Sequence, residues 1–147
     1  MARTAGSGET IEVCAVPYRI RDGRIEFCLV SPPGSSRWEF PQLRVAAREP
    51  IRRAAVRCAK EVAGVSCRHH GPVPLDSFST NQERGVSKLT AFLVVARSQK
   101  LFDADCRNRW CFPEEARARI RRKPMRRLID LALRRIAEQD VECERKK

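Results

Sequence analysis

Apolar positions fall in short strand-like runs along most of the chain and switch to helical spacing in two places, and that rhythm predicts its elements. Ile11 to Arg19 and Ile25 to Ser31 read as strands, and Arg21-Asp22-Gly23 between them carries the Asp-Gly step of a tight hairpin. Pro32-Pro33-Gly34-Ser35-Ser36 reads as a loop and Trp38 to Pro41 as a short extended piece. From Pro50 to Ala63 the period lengthens: Ile51, Ala54, Ala55, Cys58, Ala59 and Val62 lie on related turns of a helix, with Pro50 suited to its first position and Gly64 to its end. Val73 to Ser79 and Leu89 to Ala96 read as strands around a polar turn at 81–88, and Trp110 and Phe112 as the end of another. Pro113-Glu114-Glu115 opens a helix with acids at its positive end. Pro124 breaks the pattern, and Met125 to Gln139 resumes it. The expected organisation is a flexible lead over 1–10, one domain over 11–139 and a charged tail over 140–147.

Composition narrows the class. At 147 residues, 42% hydrophobic and 33% charged, the chain has enough apolar matter for one core and a soluble surface. The absence of an apolar run of membrane-spanning length, and of an apolar stretch within Met1 to Thr10, makes the cytoplasm the expected compartment. A net charge of +12 favours anionic partners: a phosphate-rich small molecule, RNA or an acidic protein surface, with no membrane role expected. The seven cysteines are odd in number and form no C-x-x-C pair, so they read as reduced core residues. His69 and His70 adjoin Cys67, but nothing completes a zinc set.

Residues 38–65, WEFPQLRVAAREPIRRAAVRCAKEVAGV, resemble the signature of the Nudix hydrolases, G-x5-E-x7-R-E-U-x-E-E-x-G-U with U a bulky aliphatic residue. Glu49, Arg57, Glu61, Gly64 and Val65 match. Leu43 stands for the leading glycine, Cys58 and Val62 for two glutamates, and Ala59 for the aliphatic residue. Ser79-Thr80-Asn81-Gln82-Glu83-Arg84 and Arg122-Lys123-Pro124-Met125 resemble stretches of the diphosphoinositol and diadenosine polyphosphate hydrolase branch, although Gly85-Val86-Ser87-Lys88 replaces the branch's next His-Arg. Arg109-Trp110 with Pro113-Glu114-Glu115-Ala116 is similar to the family's tryptophan strand and closing helix.

The resemblance implies an α/β/α sandwich around a central mixed sheet. It also implies Mg²⁺ or Mn²⁺ as cofactor, with Glu61, Glu49 and Arg57 as the catalytic set and Glu61 as the remaining metal ligand of the box. Magnesium takes oxygen ligands, which the thiol of Cys58 and the isopropyl group of Val62 do not supply. Between Gln42 and Glu61 six basic residues face two acidic ones, which disfavours a multivalent cation. Glu39 or Glu83 is an alternative ligand from outside the box, and Cys58 beside Arg57 an alternative nucleophile. Arg53, Lys60, Arg84, Arg107 and Lys123 are the candidate ligand-binding residues, expected to form one anion-binding face. The leading expectation is a Nudix-fold protein that binds a nucleoside or inositol polyphosphate with weak or lost hydrolysis. The alternatives are an active pyrophosphohydrolase with a rearranged metal site and a basic module for RNA or protein.

Overall fold

The computed structural model describes residues 4–5, 9–67, 71–82, 85–98 and 100–145, without side chains at 4, 5, 9, 80–82 and 140–145. His69, His70, Glu83 and Arg84 lie outside the described residues. The elements are β1 (Thr4–Ala5), β2 (Glu9–Arg21), β3 (Arg24–Ser31), β4 (Gln42–Arg44), α1 (Ile51–Ala63), β5 (Val73–Gln82), β6 (Gly85–Val95), β7 (Arg107–Cys111), α2 (Pro113–Arg119) and α3 (Lys123–Arg145).

One sheet runs in the order β5-β6-β2-β3-β7, with β1 and β4 also paired to β2. It is mixed: β2 and β6 are parallel, and the other pairs are antiparallel. β2 is shared along one edge, with Glu12–Cys14 paired to β4 and Tyr18–Arg21 to β3. The two-residue period of the strands then builds two cores. Cys14, Val16, Phe27, Leu29 and Leu93 face one way, against Leu128, Ile129 and Ala132 of α3. Val13, Ala15, Cys28, Val30, Phe92 and Val94 face the other, against Ala54, Ala55, Cys58 and Ala59 of α1. The result is the expected α/β/α sandwich.

The hairpin expectation holds: Asp22 and Gly23 both have positive φ, at 52° and 77°, as a two-residue turn matched to strand twist requires. Other boundaries differ. Pro50, with ψ at 137°, is the extended residue that caps α1 and not its first helical residue. The turn expected over 81–88 is narrower, because β5 runs to Gln82 and β6 starts at Gly85. The helical break falls at Ile120–Arg122, upstream of Pro124, which sits in the first turn of α3 where no amide is needed. β1 lies within the segment read as a lead, and α3 carries the helix past residue 139 to Arg145. No helix among the described residues is long and apolar enough to cross a membrane.

Candidate functional site

The loop before α1 and the helix itself are joined by Arg57. Its Nε donates to Glu49 Oε2 at 2.8 Å and its Nη2 to Glu49 Oε1 at 2.9 Å, a two-pronged pairing. Nη2 also donates to the Arg44 carbonyl and Nη1 to Glu61 Oε2 at 2.9 Å, so one guanidinium ties β4, the loop and two turns of helix together. The expected Glu49–Arg57 pair is therefore present, with the Glu49 side chain 12% exposed and that of Arg57 35%. The hydrogen bonds from Arg57 hold the Glu49 carboxyl below its ordinary pKa. Arg48 takes a left-handed φ of 63°, which closes the turn in which the Ala46 amide donates to Glu49 Oε1. Leu43 meets no such demand: it is a regular β4 residue opposite Val13, and the glycine it replaces is not needed there.

The C-terminus of α1 is closed as tightly. Gly64 caps it with φ at 73°, and a Cβ at that position would lie 2.1 Å from the Phe102 carbonyl oxygen. Phe102 donates its amide to the Gly64 carbonyl, Asp105 its amide to that of Glu61, and Asn108 Nδ2 reaches the Ala63 carbonyl at 2.7 Å. These bonds strap residues 102–105 against the helix. A cleft of about 790 Å³ opens between strap and helix, lined by Glu49, Arg53, Arg57, Lys60, Glu61, Asp103 and Asp105. Sequence reasoning misses the two aspartates, since nothing in their spacing ties them to the helix.

Cys58 faces away from this cleft. It is fully buried against the sheet, and burial pushes its thiol well above the ordinary range, which removes the reading of Cys58 as a nucleophile. Val62 packs against the same core cluster. Glu39 exchanges backbone hydrogen bonds with Val30 of β3, and burial raises the pKa of its carboxyl.

On the opposite side of the sheet Trp38 is ringed by cations. The guanidinium carbons of Arg107, Arg119 and Arg109 lie 5.4, 5.7 and 5.9 Å from its ring centre. Glu115 accepts from Arg109 and Arg119 at 2.8 and 2.9 Å, and Arg107 donates to Ser31 Oγ and to the Ser35 carbonyl. Arg37, Arg121 and Arg122 line the adjoining small cavity with Trp38 and Glu39. Of the candidate ligand-binding residues, Arg53 and Lys60 therefore stand on the α1 side, whereas Arg107 and Lys123 stand on the α2–α3 side. Even there the two are apart: Arg107 sits at Trp38, and Lys123 lines separate grooves along α3. The single face expected from the sequence is divided by the sheet itself.

No family model matches the sequence, and no curated protein matches it. Solved structures do. The chain is similar to an Ap4A hydrolase from C. elegans crystallised as a binary complex, at 20% identity over 88% of this chain and 98% of that one, with a TM-score of 0.74. The Nudix domain of NrtR from Shewanella oneidensis, complexed with ADP ribose, gives 17% identity, coverage of 87% and 88%, and a TM-score of 0.71. A Nudix hydrolase from Listeria monocytogenes gives 14% identity, coverage of 88% and 96%, and a TM-score of 0.69.

The fold is the Nudix fold.

α1 falls within the stretch that resembles the Nudix box, and the positions that would hold a metal there can be tested for fit. Cys58 is a protonated thiol inside the core, Val62 has no ligand atom, and Glu61 already accepts from Arg57. Among the described residues no three His, Cys, Asp or Glu side chains converge as a metal site requires. The box positions do not fit Mg²⁺ or Mn²⁺.

Proposed function

We propose that this Nudix-fold protein binds a polyphosphate-bearing small molecule, a nucleoside or inositol polyphosphate, through guanidinium groups, with metal-dependent hydrolysis weak or lost. The observation that carries the reading is the orientation of α1, which buries one of the three carboxylate positions of the box, now Cys58, in the apolar core and packs another, now Val62, against its rim. Arg57 and Glu49 serve as a structural brace, and Glu61 is held by the same arginine. The anion site lies at the arginines around Trp38, where Arg37, Arg107 and Arg122 outnumber the acids and planar guanidinium groups can meet phosphate two-pronged. Two of the similar structures, an Ap4A hydrolase and a Nudix domain complexed with ADP ribose, carry names that point to the same chemical class. Arg84 is assigned to this ligand set by resemblance alone.

Titration calorimetry with a dinucleoside polyphosphate in EDTA tests the reading. Binding should need no divalent ion and weaken with salt as the screening length shortens from about 10 Å at 0.1 M to about 3 Å at 1 M. Arg122→Ala with Arg37→Ala should cost about tenfold in affinity for each guanidinium removed. A phosphate-release screen showing turnover near ~1 per second in Mg²⁺ or Mn²⁺, within the ordinary enzyme range, would overturn the claim of weak hydrolysis. It would favour a second reading, an active pyrophosphohydrolase with a rearranged site. The observation behind that reading is that Glu49, Glu61, Asp103 and Asp105 line one cleft.

A further inference from the structure

Seven of the eleven residues from Arg117 to Arg127 are basic and none is acidic. The segment ends α2, turns and starts α3, so its cations gather at one corner of the sandwich. Arg117 is paired with Asp130, and Arg126 Nε donates to the Ile120 carbonyl at 2.6 Å. Lys123 and Arg127 are exposed, one turn apart on α3, and have no ion pair among the described residues. Arg134, two turns further on, is also exposed.

Two features make this more than a solvated helix face. Like charges four residues apart repel, and cations in the first turn of a helix oppose its dipole; α3 has no acid in that turn. The free protein thus carries an electrostatic cost at this corner that a polyanion would relieve. In addition, two shallow grooves, of about 380 and 310 Å³, meet at Lys123 and Arg127. One is walled by Arg117 and Arg126, and the other reaches Asp76 and Phe78 on β5.

We infer that the first turns of α3 form a docking surface for the sugar-phosphate backbone of duplex nucleic acid. Its exposed charge is mostly cationic, with Asp130 taken up by Arg117, and the ring at its edge, Phe78, packs against the core instead of standing out as a platform for unstacked bases, which single strands need for sequence-tolerant binding. A duplex keeps its bases stacked inside and presents phosphates, and phosphate contacts position without reading sequence. This surface uses residues other than the arginines assigned to the small polyphosphate, so either assignment can fail alone.

The test is fluorescence anisotropy of the full chain with a labelled 20-base-pair DNA duplex, an RNA duplex of the same length and the single DNA strand. Both duplexes should bind, independently of sequence and more tightly than the single strand. If about four phosphates are neutralised, affinity should fall roughly 100-fold between 50 and 200 mM salt. Lys123→Glu with Arg127→Glu should abolish duplex binding without lowering the melting temperature, and Arg127→Glu alone should weaken it at least tenfold while leaving dinucleoside polyphosphate binding unchanged. Lys123→Gln with Arg127→Gln, a milder pair, should weaken it at least tenfold if the reversal unfolds the chain. No duplex binding at 50 mM salt, binding indifferent to both variant pairs, or a preference for single strands or for anionic phosphatidylserine vesicles would each overturn the assignment.

Discussion

The two sides of the sheet handle charge in opposite ways. On the α1 side, Arg57 is taken up by Glu49 and Glu61, and the remaining cations of the cleft, Arg53 and Lys60, share it with Asp103 and Asp105. On the α2–α3 side Glu115 serves two arginines at once, Glu39 attracts Arg122 and Arg37 without a close salt bridge, and Arg121, Lys123 and Arg127 make no salt bridge among the described residues. The first arrangement holds a loop to a helix. The second leaves surplus positive charge at the surface. These cations and the helix α1 stand on opposite faces of the sheet.

The sharpest test of this division concerns Cys58. If α1 buries that position, restoring the family residue by Cys58→Glu places an unpaired carboxylate in the core and should cost roughly 3–5 kcal/mol. Val62→Glu, on the partly buried rim, should cost less, and the double variant should gain no hydrolysis. Urea unfolding gives the cost; a Cys58→Glu protein with the parental midpoint would mean that the helix turns outward and the box side is a site after all.

Gly64→Ala attacks the strap on the same side. The left-handed φ, and a Phe102 carbonyl oxygen 2.1 Å from where the methyl carbon would sit, leave no room for the new group, so about 3 kcal/mol should be lost. A change near zero in thermal melting would show that the strap yields.

Arg57→Ala should destabilise by about 2 kcal/mol, whereas Arg52→Ala, at an exposed position with no ion pair among the described residues, should shift stability little. The pH dependence has a defined sign. Because Arg57 lowers the folded pKa of Glu49, the pair's stabilisation is present above the unfolded carboxyl value of about 4.3 and is lost as pH falls through the folded value. Stability curves of the parent and Arg57→Ala should converge on acidification; parallel curves down to pH 2 would refute a contribution from this ion pair.

Glu39, at the edge of the Trp38 cluster, supplies the smallest effect and the opposite sign. Burial raises its folded pKa, so its favourable contribution is complete below the unfolded value and is lost as pH rises through the folded one. Glu39→Gln should therefore melt slightly higher than the parent at pH 7 and equal to it near pH 4. A variant that melts lower at pH 7 would mean that attraction to Arg122 and Arg37 outweighs burial.

The local chemistry of the chain is enough to set out much of this architecture. Alternation in β2 and β3, the Asp22-Gly23 turn, the helical period of α1 with its Gly64 stop, and the pairing of Glu49 with Arg57 eight residues on are all local or near-local patterns, and each is found where the residues indicate. The order of strands, the direction in which Cys58 faces and the meeting of Asp103 and Asp105 with the box helix needed the tertiary structure, because they depend on segments brought together from distant parts of the chain. The same holds for the candidate anion ligands. Arg53, Lys60, Arg107 and Lys123 are alike in sequence, but a sheet has two faces, and only the packing of α1 on one and α2–α3 on the other decides which cations can share a ligand.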